Sequence, residues 1–356
     1  MATDAPMFTD TPAPPGEILK DTLDGFGMTS KELAQRMGRP AQAISQIING
    51  TKAITGETAL QLECVLGTPA HVWVNLETNY QFNKARLEQQ NKLEGQIADA
   101  RNFPVNEMGK LGFIACERDP KDRVRALLRF FGVADLGIVH TRYDAAFRKS
   151  DKNEASPYAL AAWLRQGEIL AGKIETADYS PDAIRACLES IRLLTRRMGE
   201  GFDGTLRHTL AECGVAVVFV PHLPKTYAHG ATFWREGKPV IQLSIRGRTD
   251  DLFWFTFFHE AGHILLHGRK AVFIEGLGTV DPAQEQEANN FARDMLIPER
   301  PYASFVRRDR FTTDAVRSFA SEIQVSTGIV VGRLQHDGHL PQSHLNGLKR
   351  KLDWKE

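Results

Sequence analysis

The 356 residues suffice for two or three domains, and 42% hydrophobic with 25% charged residues is the composition of an ordinary soluble globular chain. Basic and acidic residues balance at 44 each, so binding to polyanions by bulk charge is excluded and any nucleic-acid contact must come from a local patch. Four cysteines (Cys64, Cys116, Cys187, Cys213) form no C-x-x-C pair, which argues against a thiolate metal site or a disulfide scaffold and favours a reducing compartment. The opening MATDAPMFTDTPAPPG lacks the basic and apolar runs of a secretory signal, and no apolar stretch reaches the roughly 20 residues that span a bilayer. A cytoplasmic protein without membrane contact is expected.

Residues 1–15, rich in Pro and Thr, are expected as a flexible tail, and residues 16–80 as a compact run of short helices. Within that run SKELAQRMGRPAQAISQIINGTKAIT has helix-turn-helix punctuation. Ala34 is small where two helices cross, Gly38 marks the turn, Pro40 opens the second helix, and Ile44 and Ile47 bury it. The second helix then presents Gln42, Ser45 and Gln46, with Asn49 at its end. Amides and hydroxyls of this kind read base edges in a major groove. Lys31, Arg36, Arg39 and Lys52 surround it against Glu32 alone, a small excess suited to phosphates. Arg39, Gln42, Ser45, Gln46, Asn49 and Lys52 are the candidate DNA-contact residues; the competing reading is a solvated face of a protein-binding module.

The stretch from PGEILKDTLDGFG to HVWVNLETNYQ, about residues 14–82, resembles the HigA-type antitoxin branch of the XRE repressor family. The resemblance implies a five-helix fold, operator DNA as partner, and a homodimer. The stretch is not basic overall, because Glu17, Asp21, Asp24, Glu57 and Glu63 offset its cations.

Residues 81–200 are expected as a helical linker and middle region. QFNKARLEQQNKLEGQIADA favours helix by composition, and DRVRALLRFFG and SPDAIRACLESIRLLTRRMG have helical periodicity without an interpretable motif. After Gly201 the pattern changes. GVAVVFVP (214–221) and KPVIQLSI (238–245) are β-branched runs bounded by Gly and Pro, which predicts strands. DDLFWFTFFHEAGHILLHG (250–268) predicts one buried helix, with Asp250 or Asp251 as N-cap and Gly268 as its end. PAQEQEANNFARDMLIPE (282–299) predicts a second, with Ala288, Phe291, Ala292 and Met295 on its apolar face.

Hydrolysis by zinc needs three protein ligands and one open position. His259 and His263, at i and i+4, project from one helix face, and Glu260 lies beside them, where it can accept a proton from water. Buried in so apolar a segment, these groups are costly unless something satisfies them. His267 stands two turns beyond His259, about 12 Å along the axis, and cannot share its ion; a structural or supporting role suits it better. The third ligand is then sought in the following helix. Glu285 shares a side with Ala288 and Asn289 and borders the apolar face, whereas Glu287 is rotated by about 200° and reads as a solvated charge. Glu285 is preferred over Glu287, with Asn289 as a candidate support for a ligand.

FTFFHEAGHILLH and EQEANNFARDMLIP resemble the ImmA/IrrE family of metallopeptidases over about residues 200–300. The resemblance implies a Zn2+ cofactor, cleavage of a repressor- or antitoxin-type protein substrate, and the roles given to His259, His263, Glu260 and Glu285. Tyr227, His229 and His336 are available to stabilise an oxyanion. The expected architecture is mainly α: an N-terminal all-α helix-turn-helix domain, and a small α+β zincin-like metallopeptidase domain over 201–300. Residues 301–356 are expected as an extension, its tail LPQSHLNGLKRKLDW lying outside the catalytic core. The leading functional expectation is a DNA-binding regulator with a zinc endopeptidase. Its rivals are a HigA-like transcription factor whose metallopeptidase fold senses without cleaving, and an antitoxin that neutralises a toxin by binding.

Overall fold

The computed structural model describes residues 13–144, 155–199, 201–268, 273–274 and 282–352. The expected tail lies, up to residue 12, outside the described residues. The chain divides into two compact units, Met1–Gln96 and Ile97–Glu356.

The first unit contains helices α1 (Pro15–Gly25), α2 (Ser30–Arg36), α3 (Ala41–Ile48), α4 (Gly56–Leu66) and α5 (Ala70–Gly95). Local chemistry sets their ends. Thr29 and Thr55 cap α2 and α4 by accepting the backbone N–H groups of Glu32 at 3.2 Å and Thr58 at 3.3 Å. Gly67, at φ 74°, ends α4 in the left-handed conformation that glycine tolerates best. Leu19, Leu33, Ile44, Ile47, Leu62 and Trp73 form its core; a fully buried side chain of this size contributes roughly 1.5–3 kcal/mol. Helix α5 continues through the segment expected as linker, so residues 81–95 are one helix with the end of the first unit.

Gly16 is where α1 meets the end of α3. A Cβ there would lie 2.7 Å from the Ile48 carbonyl carbon and closer still to the carbonyl oxygens of Ile47 and Ile48, all backbone atoms that cannot swing away. Gly16→Ala is therefore expected to destabilise this unit by about 1–3 kcal/mol. Amide exchange in α1 and α3 should accelerate by roughly 5- to 150-fold, and unchanged protection would contradict this packing.

The second unit begins with α6 (Ile97–Ala100), α7 (Val105–Lys110), α8 (Pro120–Phe131), α9 (Ile138–Arg142), α10 (Pro157–Ala171), α11 (Pro181–Leu194) and α12 (Phe202–Glu212). Four strands follow in the order β1-β3-β2-β4: β1 (Ala216–Phe219), β2 (Gly230–Arg235), β3 (Lys238–Leu243) and β4 (Phe273–Ile274). β1 runs parallel to β3, and β2 is antiparallel to β3 and β4. Helix α13 (Asp250–Leu266) precedes β4, and α14 (Pro282–Leu296), α15 (Glu299–Val306), α16 (Thr313–Glu322) and α17 (Thr327–His336) complete the unit.

The sheet sorts its side chains by alternation. Val217, Ile241 and Leu243 enter the core shared with Phe253, Trp254, Phe257 and Phe258 of α13. Gln242 points to the other face, where its amide donates to the Trp163 carbonyl of α10 at 2.7 Å. The Trp163 indole N–H in turn donates to the Val220 carbonyl at 3.1 Å. The middle region, silent as sequence, thus includes the helix that covers the second face of the sheet.

Strand β2 was not among the expected strands. It pairs with β3 through a two-residue turn, Glu236-Gly237, both at positive φ (50° and 83°), the geometry that matches strand twist in a tight hairpin.

One expectation about α13 needs correction. Its N-cap is Thr249, and Asp250 and Asp251 occupy the first turn. They do not cap the helix; they receive the C-terminal segment. Asp250 accepts from the Ser326 hydroxyl at 2.8 Å and the Arg350 N–H at 2.9 Å, and Asp251 pairs with Lys349 at 2.6 Å. Gly328 and Gly332 of α17 leave room for these carboxylates. The tail, expected outside the catalytic core, packs on this helix: Thr249 and Lys351 form a β-bridge, and Leu352 joins Phe305, Phe319 and Val330 in the core of α13.

Candidate metal centre

Helix α13 is apolar on nearly every side because the sheet, α14 and α17 all pack on it. His259, Glu260 and His263 are at most 1% exposed, so each polar atom must be met by another. The Nε2 atoms of His259 and His263 lie 2.9 Å apart. Glu285 brings a carboxylate oxygen to 3.3 Å from His259 Nε2 and 3.8 Å from His263 Nε2. These three residues each offer a ligand atom within 4.8 Å of the others, a group that could hold a metal ion. Tetrahedral zinc, with bonds of about 2.0–2.1 Å, sets its ligand atoms about 3.3–3.4 Å apart, and the observed separations bracket that value. The donor set, two imidazoles and one carboxylate without thiolate, fits zinc.

Electrostatics agree with the geometry. Burial alone would raise the Glu285 carboxyl, but hydrogen bonds and charge from His259 and His263 outweigh it and hold its pKa at about 2. Burial pushes the His263 imidazole down, favouring the neutral form that ligates metals.

A second ring of contacts orients the first. Asn289 Oδ1 lies 2.9 Å from His259 Nδ1, and His267 Nδ1 lies 2.9 Å from His263 Nδ1. His267 Nε2 is 3.1 Å from Glu287, so Glu287 is not the plain solvated charge its rotation on the helix suggested. Glu260 is held by Thr232, whose hydroxyl donates to its Oε2 at 2.6 Å. Thr232 escaped the sequence reading because β2 did; the signal available was Glu236-Gly237 between two β-rich runs.

Gly262 and Gly230 set the close approaches. A Cβ on Gly262 would sit 3.1 Å from the Phe291 ring and 3.3 Å from Ala288 Cα, so the glycine lets α14 seat close enough to deliver Glu285. A Cβ on Gly230 would sit 2.6 Å from Thr256 and 2.7 Å from Glu260 Oε1. Gly230→Ala should displace Glu260 and cost about 1–3 kcal/mol. At about 2–4 °C per kcal/mol, the melting temperature of this unit should fall by several degrees; an unaltered melt would refute the contact.

The other candidates are not among the three residues that converge. His229 lines a small cleft with Ser244, Arg248, Thr249 and Thr256, and burial, then Arg246 and His222, lower its pKa. Tyr227, at φ 55°, stacks under the Arg246 guanidinium at 4.5 Å. His336 is a surface residue bonded to Asp337 at 3.0 Å.

In the first unit, α3 buries Ala43, Ile44 and Ile47 and exposes Gln42, Ser45 and Gln46, with Asn49 and Lys52 exposed beyond it. Arg39 differs: it is drawn onto α4, bonding Gln61 and pairing with Glu57 at 3.1 Å, with only 17% of its side chain exposed.

Comparison with known proteins agrees with this division. The helix-turn-helix family matches residues 19–73, and the peptidase family described as the IrrE N-terminal-like domain matches residues 211–335. An HTH-type transcriptional regulator of Escherichia coli, YddM, is 30% identical over 71 residues, covering 20% of this chain and 76% of that protein. The chain belongs to the helix-turn-helix regulators. This regulator carries an IrrE-like domain downstream. It is also similar to antitoxin HigA-1 of Vibrio cholerae, at 37% identity over 67 residues, 18% of this chain and 63% of that protein. A solved HigA-family addiction module antidote protein from Coxiella burnetii is 34% identical, covering 24% of this chain and 94% of that one at a TM-score of 0.23. No described helix is long and apolar enough to cross a membrane.

Proposed function

We propose that this regulator is a zinc-dependent endopeptidase that cleaves a repressor- or antitoxin-type protein and binds operator DNA, as a homodimer, through its first unit. The observation that carries the reading is the convergence of His259, His263 and Glu285 beside Glu260 in a chain that also holds a helix-turn-helix. The likeness to HigA-1, an antitoxin by name, motivates the substrate class.

His259, His263 and Glu285 would hold the zinc. When bound, zinc supplies Lewis acidity that polarises a carbonyl and makes water a stronger acid. The chain's own residues do the rest. Glu260 takes a proton at its carboxylate and returns it to the leaving amine. Thr232 fixes the orientation of that carboxylate by bonding Oε2. Asn289 and His267 hold the two imidazoles so that their Nε2 atoms face Glu285. On the DNA side, Gln42, Ser45, Gln46 and Asn49 would read bases and Lys52 would contact phosphate, whereas Arg39, in the turn between α2 and α3, is bonded to α4.

The second reading, a sensor that binds metal without cleaving, is favoured by enclosure: only Glu285, at 15% side-chain exposure, reaches the surface among the three ligands. Incubating the zinc-loaded chain with XRE-type repressors and antitoxins separates the two. Discrete cleavage products support the peptidase; intact partners throughout, with operator affinity that changes with metal, support the sensor.

A further inference from the structure

We propose that Glu287 is a positioning residue for the metal centre: through His267 it fixes the tautomer in which His263 presents a bare Nε2 toward Glu285. The inference rests on the metal-binding reading above and extends it to an exposed residue that touches none of the three ligands.

The hydrogen-bond chain leaves one assignment for neutral imidazoles. A carboxylate only accepts, so the Nε2 of His267, 3.1 Å from Glu287 Oε2, carries the hydrogen. Its Nδ1 is then an acceptor. The Nδ1 of His263 lies 2.9 Å from it, and two ring nitrogens at that distance bond only if one of them is protonated. His263 therefore carries its hydrogen on Nδ1 and leaves Nε2 as a lone pair, aimed at the point shared with His259 Nε2 and Glu285. In the metal-free chain the Nε2 of His259, 2.9 Å from that lone pair, is the donor to it, and its Nδ1 faces the Asn289 side-chain amide at 2.9 Å. His263 is thus set in the ligating tautomer from helix α14, which supplies Glu285, Glu287 and Asn289. Spacing explains the sharing of work: Glu285 and Asn289 are one turn apart on the side facing the ligands, and Glu287, rotated away, reaches α13 one turn farther along, at His267.

The environments of the relay make it testable. His267 is 3% exposed in its side chain, while Glu287 is 63% exposed, so replacing Glu287 removes little packing. The experiment uses the full chain, labelled with 15N-histidine and freed of metal, as wild type, Glu287→Ala and Glu287→Gln. Long-range 1H–15N correlation reads which nitrogen of His263 is protonated, and chelator competition reads zinc affinity. The expected result is a protonated Nδ1 on His263 in the wild type and in Glu287→Gln, whose amide oxygen still accepts. Glu287→Ala should show mixed tautomers and bind zinc about tenfold more weakly at an unchanged melting temperature. A wild-type His263 protonated on Nε2, or a Glu287→Ala chain with the wild-type tautomer and affinity, would overturn the proposal. The apo spectra judge the relay independently of whether zinc is the ion: a wild type that shows the expected tautomer but binds no zinc fails the metal reading instead.

Discussion

Glu260→Gln is expected to retain zinc at the wild-type stoichiometry and to lose partner cleavage by roughly 10²–10⁴-fold, the contribution of a general base. The separation of the two readouts follows from the geometry. Glu260 is wholly buried and is not among the residues that converge on the metal point, so its replacement removes no ligand. Glutamine has the same shape, and its amide oxygen can still accept the Thr232 hydroxyl that now bonds the carboxylate at 2.6 Å. What it cannot do is accept a proton. Gel analysis of a cleavable partner, with metal content measured on the same preparation, checks both. Cleavage at the wild-type rate would remove Glu260 from the mechanism.

Lys349→Met should destabilise the second unit by about 3–5 kcal/mol, the cost of stranding one partner of a buried pair. Lys349 and Asp251 are 13% and 8% exposed in their side chains and lie 2.6 Å apart. Gly332 is what admits the carboxylate, since a Cβ there would press on it. The lysine lost, Asp251 keeps its charge or takes up a proton, and both cost stability. Adding Asp251→Asn should restore much of the loss, because the stranded charge is then gone. Urea unfolding of the two single variants and the double variant measures this coupling. Additive losses would mean that the pair does not hold the C-terminal segment to α13.

These expectations differ in how far they could be seen in the sequence. His259, Glu260 and His263 stand in one short helix, and the side of α14 that bears Glu285 follows from 100° per residue. Local rules suffice there, and the structure brings the three ligand candidates together. Thr232 and Lys349 were invisible for another reason. Each acts on α13 from a distant part of the chain, 28 residues away in one case, and through pairing that no local period encodes. β2 opens on Gly230, which reads as a break but leaves the space Glu260 occupies. Asp250 and Asp251 had the sequence of a cap and were used instead as receptors for the tail, because a helix start buried under α17 offers its carboxylates to whatever packs there. Arg39 fell among DNA-contact candidates by charge, and only the fold shows it bonded to α4.

The central claim is that His259, His263 and Glu285 jointly bind zinc. The most direct test is the zinc content of purified wild type, Glu285→Ala and Glu260→Gln after identical loading and desalting. One zinc per chain is expected in wild type and Glu260→Gln, and none held stoichiometrically in Glu285→Ala. A wild type without zinc, or a Glu285→Ala chain that keeps a full equivalent, would contradict it.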